Sequence, residues 1–279
     1  APLGGPCSFD GYEKDRLVLE LSIYQRIEVW EAKGFQPRRI GDTEKVVDVV
    51  ARYTQFEGMS YDEAAKICRD CGGPSNDNSD KESILKDLKT MLLWEYLPLS
   101  ELQEECSQRE VPIKVEWAKT DEERHSELNR RLRVHLCVNT NKSSYELRGI
   151  PVDRLGALHA DTVSQQLDQF EAMSPDQLKA AYVGVGMLEE EPLERAHLLR
   201  TLKAVLIWEN LPLSELQEDC RERRLPVHVD SGPGSDDGGH AELERRLKVD
   251  LSVNIGRSFY EARGIPVGRL GSLDVVRIS

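Results

Sequence analysis

At 279 residues and 39% hydrophobic content the chain is long enough for two ordinary domains, each with a core of its own. Its charged residues, 31% of the total, sum to a net charge of −13, which disfavours attraction to phosphate backbones or anionic lipid headgroups and directs expectation toward protein partners. No uninterrupted apolar run approaches the roughly eighteen residues of a membrane helix, so a helical span is excluded.

The chain opens at Ala1 with "PLGGPCSFDG", a start expected of a processed N-terminus after loss of a leader, as for delivery to a plastid or mitochondrion or for secretion, or of part of a longer chain. "RLVLELSI" at 16–23 and "VWEAKGFQPRRIGD" at 29–42 follow, the latter with Gly34 and Gly41 at turn positions. Ser60 to Glu63 reads as a capping box that starts a helix. "CRDC" at 68–71 is a lone CxxC. A structural zinc site needs four ligands, so the pair reads as a local disulfide or two reduced thiols, and neither metal nor cofactor is expected. The remaining cysteines, at 7, 106, 137 and 220, are too scattered for a disulfide framework.

"ESILKDLKTMLLWEY" at 82–96 spaces its apolar residues by three and four, which predicts a long helix with one buried stripe, ended by Leu97-Pro98. In "LPLSELQEECSQREVP" at 97–112 the Ser100 to Gln103 spacing predicts a second capping box, opening a short helix that Val111-Pro112 stops. Cys106 fits a small packing position on it. "KTDEER" at 119–124 reads as a loop. "RLRVHLCVN" at 131–139 supports two patterns: Leu128, Leu132 and Leu136 recur at helical spacing, while Leu132, Val134, Leu136 and Val138 alternate as in a strand. The expectation is a helix running into an extended exit.

From here the chain repeats itself. "FEAMSPDQ" at 170–177 returns "FEGMSYDE" of 56–63 at an offset of 114, with Ser174 to Gln177 as its capping box. "ERAHLLRTLKAVLIWEN" at 194–210 returns the long helix, and "LPLSELQEDCRERRLP" at 211–226 returns the sentence of 97–112 with Ser214, Cys220 and Leu225-Pro226 in place. "DSGPGSDDGG" at 230–239 reads as a flexible loop. "FYEARGIPVGRLGSL" at 259–273 returns "SYELRGIPVDRLGAL" of 144–158 at an offset of 115, and the stretch at 29–42 is a fainter third copy. The frame gives a tail and the end of a partial unit at 1–16, repeat unit 1 at 17–131, repeat unit 2 at 132–246 and a partial third unit at 247–279.

A short helix ending in Arg-x-hydrophobic-Pro, then a loop, then a helix carrying Glu-Leu-x-x-Arg-Leu resembles the SAP module, a helix, extended loop, helix unit. The resemblance places Leu102, Cys106, Val111, Leu128 and Leu132 at packing positions, and Leu216, Cys220, Leu225, Leu243 and Leu247 in the later copy. It puts SAP-like modules at 97–132, 138–173 and 211–247. The family is best known for binding DNA through basic residues near the start of the second helix. At that place this chain has Asp121, Glu122 and Glu123, and in the other copy Asp230, Asp236 and Asp237, which repel phosphate. The glycine-turn modules are less hostile. Arg148, Arg154, Arg263 and Arg269, with Lys33 and Arg39 in the faint copy, place cations around the turn, where they either meet a partner or bond helix-end carbonyls and neighbouring acids.

His125 and His240 are equivalent, but no nucleophile or paired carboxylate recurs with them, so catalysis is not expected. Trp94 and Trp208 read as core anchors. "GVGMLEEE" at 184–191 reads as a loop rather than a phosphate cradle. The chain is thus expected to be mainly α, a tandem repeat of small SAP-like modules with one longer helix per unit and short extended segments between. Its expected role is a non-enzymatic scaffold or peripheral subunit joining protein partners in a larger, organellar complex. The candidate partner-binding residues are Arg39, Arg148, Arg154, Arg263 and Arg269, and the alternative role is nucleic-acid binding by the Arg-rich glycine-turn modules.

Overall fold

The computed structural model describes residues 25–74, 80–188, 194–228, 236–268 and 270–278. The tail at 1–16, "RLVLELSI", the first part of "DSGPGSDDGG", the acids at the end of "GVGMLEEE" and Arg269 lie outside them. Every regular element among the described residues is a helix. The chain divides after Asn141 into two compact units.

The first unit holds α1 (residues 25–32), α2 (Pro37–Ile40), α3 (Thr43–Gly58), α4 (Tyr61–Asp70), α5 (Lys81–Tyr96), α6 (Leu99–Gln108) and α7 (Asp121–Thr140). The second holds α8 (Lys142–Leu147), α9 (Val152–Leu155), α10 (Ala157–Ala172), α11 (Pro175–Gly184), α12 (Arg195–Asn210), α13 (Leu213–Glu222), α14 (Asp236–Ile255), α15 (Arg257–Ala262) and α16 (Ser272–Ile278). From α2 to α7 the helices run 4, 16, 10, 16, 10 and 20 residues, and from α9 to α14 they run the same lengths in the same order. In the first unit α5 packs against α3, α4 and α7, and α6 against α7; in the second α12 packs against α10, α11 and α14, and α13 against α14.

Local chemistry explains most boundaries. Ser60 and Ser174 form complete capping boxes with Glu63 and Gln177, and Pro175 occupies the first turn of α11. Leu97 and Leu211 leave helical geometry (φ −65°, ψ 141° and φ −73°, ψ 144°) because each precedes a proline. The next helix then begins at once. Pro98 and Pro212 are its N-caps, their carbonyls accepting from Leu102 N at 2.9 Å and Leu216 N at 3.0 Å. Ser100 and Ser214 therefore lie inside the first turn and do not cap it, a correction to the capping boxes expected there. The short helices stop before Val111-Pro112 and Leu225-Pro226, at Glu110 and Arg224, both left-handed at φ 58°. Val111 N reaches Cys106 O (2.9 Å) and Leu225 N reaches Cys220 O (2.8 Å), closing a Schellman turn on a residue that is not glycine.

Two further expectations are corrected. "KTDEER" is not a loop throughout: Thr120 and Glu123 form a capping box that starts α7 at Asp121, and "DSGPGSDDGG" likewise turns helical at Asp236. The extended exit at 131–138 is absent, because α7 continues to Thr140 and α14 to Ile255. Leu128, Leu132 and Val138 are all fully buried from one continuous helix. The position between 131 and 132 thus falls inside α7.

The two cores use matching residues. Leu88, Leu102, Cys106, Leu128 and Leu132 are buried in the first unit, and Leu202, Leu216, Cys220, Leu243 and Leu247 in the second. Each buried leucine contributes about 1.5–3 kcal/mol of transfer free energy. Trp94 and Trp208 are buried as well. The change of offset from 115 to 114 also has a place: Asp42 stands between Gly41 and α3 as a capping residue bonded to Glu44 N (2.9 Å), whereas Gly156 leads straight into α10.

Candidate functional site

The candidate cations belong to the glycine turns. Gly34 and Gly149, both at φ 74°, end α1 and α8 in the left-handed conformation that glycine adopts without steric penalty. A lysine from the long helix sits on each turn: Lys89 Nζ donates to Lys33 O, and Lys203 Nζ to Arg148 O at 3.0 Å. A Cβ at Gly149 would come within 2.8 Å of Lys203 Nζ, so the turn is closed by its lysine as well as by its backbone. A cation over the last carbonyls of a helix complements the helix dipole.

One turn further on, α2 and α9 present Arg39 and Arg154. Arg39 donates from Nε to Glu101 Oε2 (2.6 Å), from Nη1 to Glu105 Oε1 (2.5 Å) and from Nη2 to Glu101 O (3.3 Å). Arg154 repeats the pattern with Glu215 Oε2 (2.7 Å), Asp219 Oδ1 (2.5 Å) and Glu215 O (3.4 Å). The acids are the carboxylates of "SELQEEC" and "SELQEDC", one helical turn apart and so on one face of the short helix. Behind each clasp an indole donates to the inner acid, Trp94 Nε1 to Glu105 at 3.2 Å and Trp208 Nε1 to Asp219 at 2.8 Å. Burial opposes ionisation of Glu105, but Arg39, Arg109 and Trp94 together hold its carboxyl below the ordinary range. Arg109 and Arg223 lie over the same indoles, 5.3 and 5.1 Å from the ring centroids.

The other candidates stand apart from these clasps. Arg148 bonds Ser164 Oγ (2.8 Å), Asp168 (2.6 Å) and Glu171 (3.4 Å). Arg263 is exposed and stacks on Phe259 at 4.0 Å. Lys33 is exposed, and Arg269 lies outside the described residues. Of the four candidate arginines among the described residues, Arg39, Arg148 and Arg154 are engaged with carboxylates.

A second repeated device holds the extended segment between the short and long helices. Arg131 bonds Glu127 (2.8 Å) and reaches Pro112 O (2.7 Å) and Lys114 O (3.0 Å); Arg246 bonds Glu242 (2.7 Å), Pro226 O (2.6 Å) and His228 O (3.0 Å). His125 and His240 each place Nε2 2.8 Å from the carbonyl of Leu97 or Leu211, the residue that the proline turns out of the helix. That contact gives the histidines a structural task. Cys68 and Cys71 are free thiols, as are Cys106, Cys137 and Cys220. Burial pushes the Cys68 thiol up to about 12 and the Cys106 thiol up to about 11, so neither supplies thiolate near neutrality. Among the described residues no group of His, Cys, Asp and Glu is disposed to hold a metal ion, and no helix is long and apolar enough to cross a membrane.

Sequence reasoning named the arginines but not Glu101, Glu105, Glu215 and Asp219 as their partners, nor Lys89, Lys203, Arg131 and Arg246. The available signal was joint recurrence: every one of these residues returns at the repeat offset in the same type or charge. No protein-family model matches the chain, and no curated protein or solved structure matches it significantly.

Proposed function

We propose that the chain is a non-enzymatic scaffold or peripheral subunit, built from tandem SAP-like modules, that joins protein partners within a larger complex. The observation that carries this reading is the repeated clasp. Arg39 and Arg154, two of the candidate cations, are each engaged by two carboxylates, and a phosphate approaching them would have to displace both. The helix, extended segment, helix arrangement of α6 to α7 supports the SAP-like part of the reading, with Arg131 holding the segment as Arg246 holds the described residues 226–228 after α13. His125 and His240, the recurrent histidines, are each engaged with a backbone carbonyl, which favours a structural over a catalytic part for them.

Purification of the native protein under mild conditions tests the proposal. Co-migration with a large assembly is the expected result, and elution as a solitary monomer counts against it. The nucleic-acid alternative requires salt-dependent retention of DNA or RNA near physiological ionic strength, lost on Arg154→Glu; absence of retention even at low salt removes it.

A further inference from the structure

We infer that a groove in the first unit, between the end of α4 and the face of α7, is a docking site for a segment of a partner protein in which lysine or arginine flanks an apolar side chain. The inference rests on the scaffold reading and names a partner chemistry for it. The groove has a volume of about 810 Å³ and an apolar floor that includes Leu99 and Val134. Its two arginines are already committed, Arg130 to Glu127 and Arg133 to Asn129 (2.6 Å), Glu95 and the carbonyl of Cys71 (3.0 Å). The carboxylates of Asp70 and Glu122, by contrast, are exposed in its lining and make no ion pair among the described residues.

Asp70 is informative because of where it stands. It is the last residue of α4, where the helix dipole disfavours a negative charge, so its carboxylate does not serve its own helix. The second unit has Gly184 at that position. Asn129 adds a polar group to the same lining. As a residue it is 7% exposed, and acceptance of the Arg133 Nε–H fixes which amide atom is the oxygen. Asn129 lines the groove, and its Nδ2 remains a donor open to solvent. A backbone carbonyl of an occupant can take that hydrogen bond in place of water. An apolar side chain on Leu99 and Val134, a carbonyl on Asn129 and cations beside Asp70 and Glu122 use every one of these features at once.

The test is fluorescence anisotropy of the full chain with a fluorescein-labelled peptide of alternating lysine and leucine at physiological ionic strength, with a glutamate–leucine peptide as control. The lysine peptide is expected to bind and the glutamate peptide not to. The double variant Asp70→Lys, Glu122→Lys should weaken binding roughly tenfold. The charge-matched pair Glu28→Lys, Glu104→Lys, outside the groove, should weaken it less than about twofold. Because lysine suits the end of α4 better than aspartate, the first change at the groove does not threaten folding. Equal weakening by the two double variants, or no binding of the lysine peptide, overturns the inference. A native complex that survives Asp70→Lys, Glu122→Lys unchanged removes the groove and leaves the scaffold reading standing, whereas a chain that elutes alone removes the scaffold reading itself.

Discussion

Glu105 in the first unit and Asp219 in the second hold the same place on their helices and differ by one methylene, and the cations around them are arranged differently as a result. Glu105 reaches Arg39, Arg109 and the Trp94 indole. Asp219 keeps Arg154 and Trp208, while Arg223, which answers to Arg109, pairs with Asp250 on α14 at 3.1 Å. Asp250 stands where the first unit has His135, and it also accepts from Ser272 Oγ at 2.5 Å. The guanidinium keeps its position over the indole in both units; what moves is the anion that neutralises it. A repeat can therefore relocate a buried charge from one helix to another, provided that the stack it serves is left in place. His135 could not play the part of Asp250, since burial and the nearby Arg109 both lower its pKa and keep it neutral.

The largest expected effect breaks the comparison. Glu105→Ala removes the shared partner of two arginines and an indole and should cost about 3 kcal/mol, whereas Asp219→Ala leaves Arg223 with Asp250 and should cost about 1–2 kcal/mol. Urea unfolding followed by circular dichroism measures both, and equal losses would show that the relocated pair contributes nothing. Next in size is a conversion of one unit into the other: His135→Asp in a Glu105→Asp background should recover about 1 kcal/mol of the loss, read as the coupling in a double-mutant cycle.

Acid titration sharpens what the units share. Glu127 and Glu242 are each pushed down to about 2, by hydrogen bonds from Arg130 and Arg131 or from Arg245 and Arg246 against the opposing effect of burial. A folded-state value below the ordinary 4.5 means that the stabilisation is complete above that pH and is lost as pH falls from about 4.5 through about 2. Glu127→Gln and Glu242→Gln should flatten stability over that window by similar amounts; a wild-type profile that is already flat there would contradict it. The smallest effect is again common to both units. Glu110→Gly and Arg224→Gly relieve left-handed backbone and should each raise stability by about 0.5–1 kcal/mol, a shift in unfolding midpoint that a neutral result would refute.

Elements set by local chemistry were readable from the chain. The stripe of 82–96, the Leu-Pro breaks and the boxes at Ser60 and Ser174 depend on neighbours within a turn or two, and the helices follow them. Where two local signals compete, the backbone one prevails: Ser100 sits in a box-like spacing, but Pro98 ends the preceding helix and opens the next before the serine is reached. The alternation in 131–138 arose by chance on a helix with more than one buried face. The clasps were out of reach for a different reason. Arg39 meets Glu101 and Glu105 across 62 and 66 residues, and Arg154 meets Glu215 and Asp219 across 61 and 65, separations at which periodicity carries no information. Only the doubling of the chain marked these residues, because a contact that occurs twice leaves two residue types recurring together.

The indoles behind the clasps also make each unit optically separable. Trp94 and Trp208 are buried, each bonded to the acid of its own clasp, while Trp117 stands exposed on the segment before α7. Emission from the buried pair should lie to the blue of the exposed ring; because Trp30 also packs against the first core, a Trp30→Phe chain that further carries Trp94→Phe or Trp208→Phe leaves one inner reporter in one unit. The clasp that neutralises a candidate binding arginine thus doubles as a built-in gauge of whether its own unit, and not merely the chain, is folded.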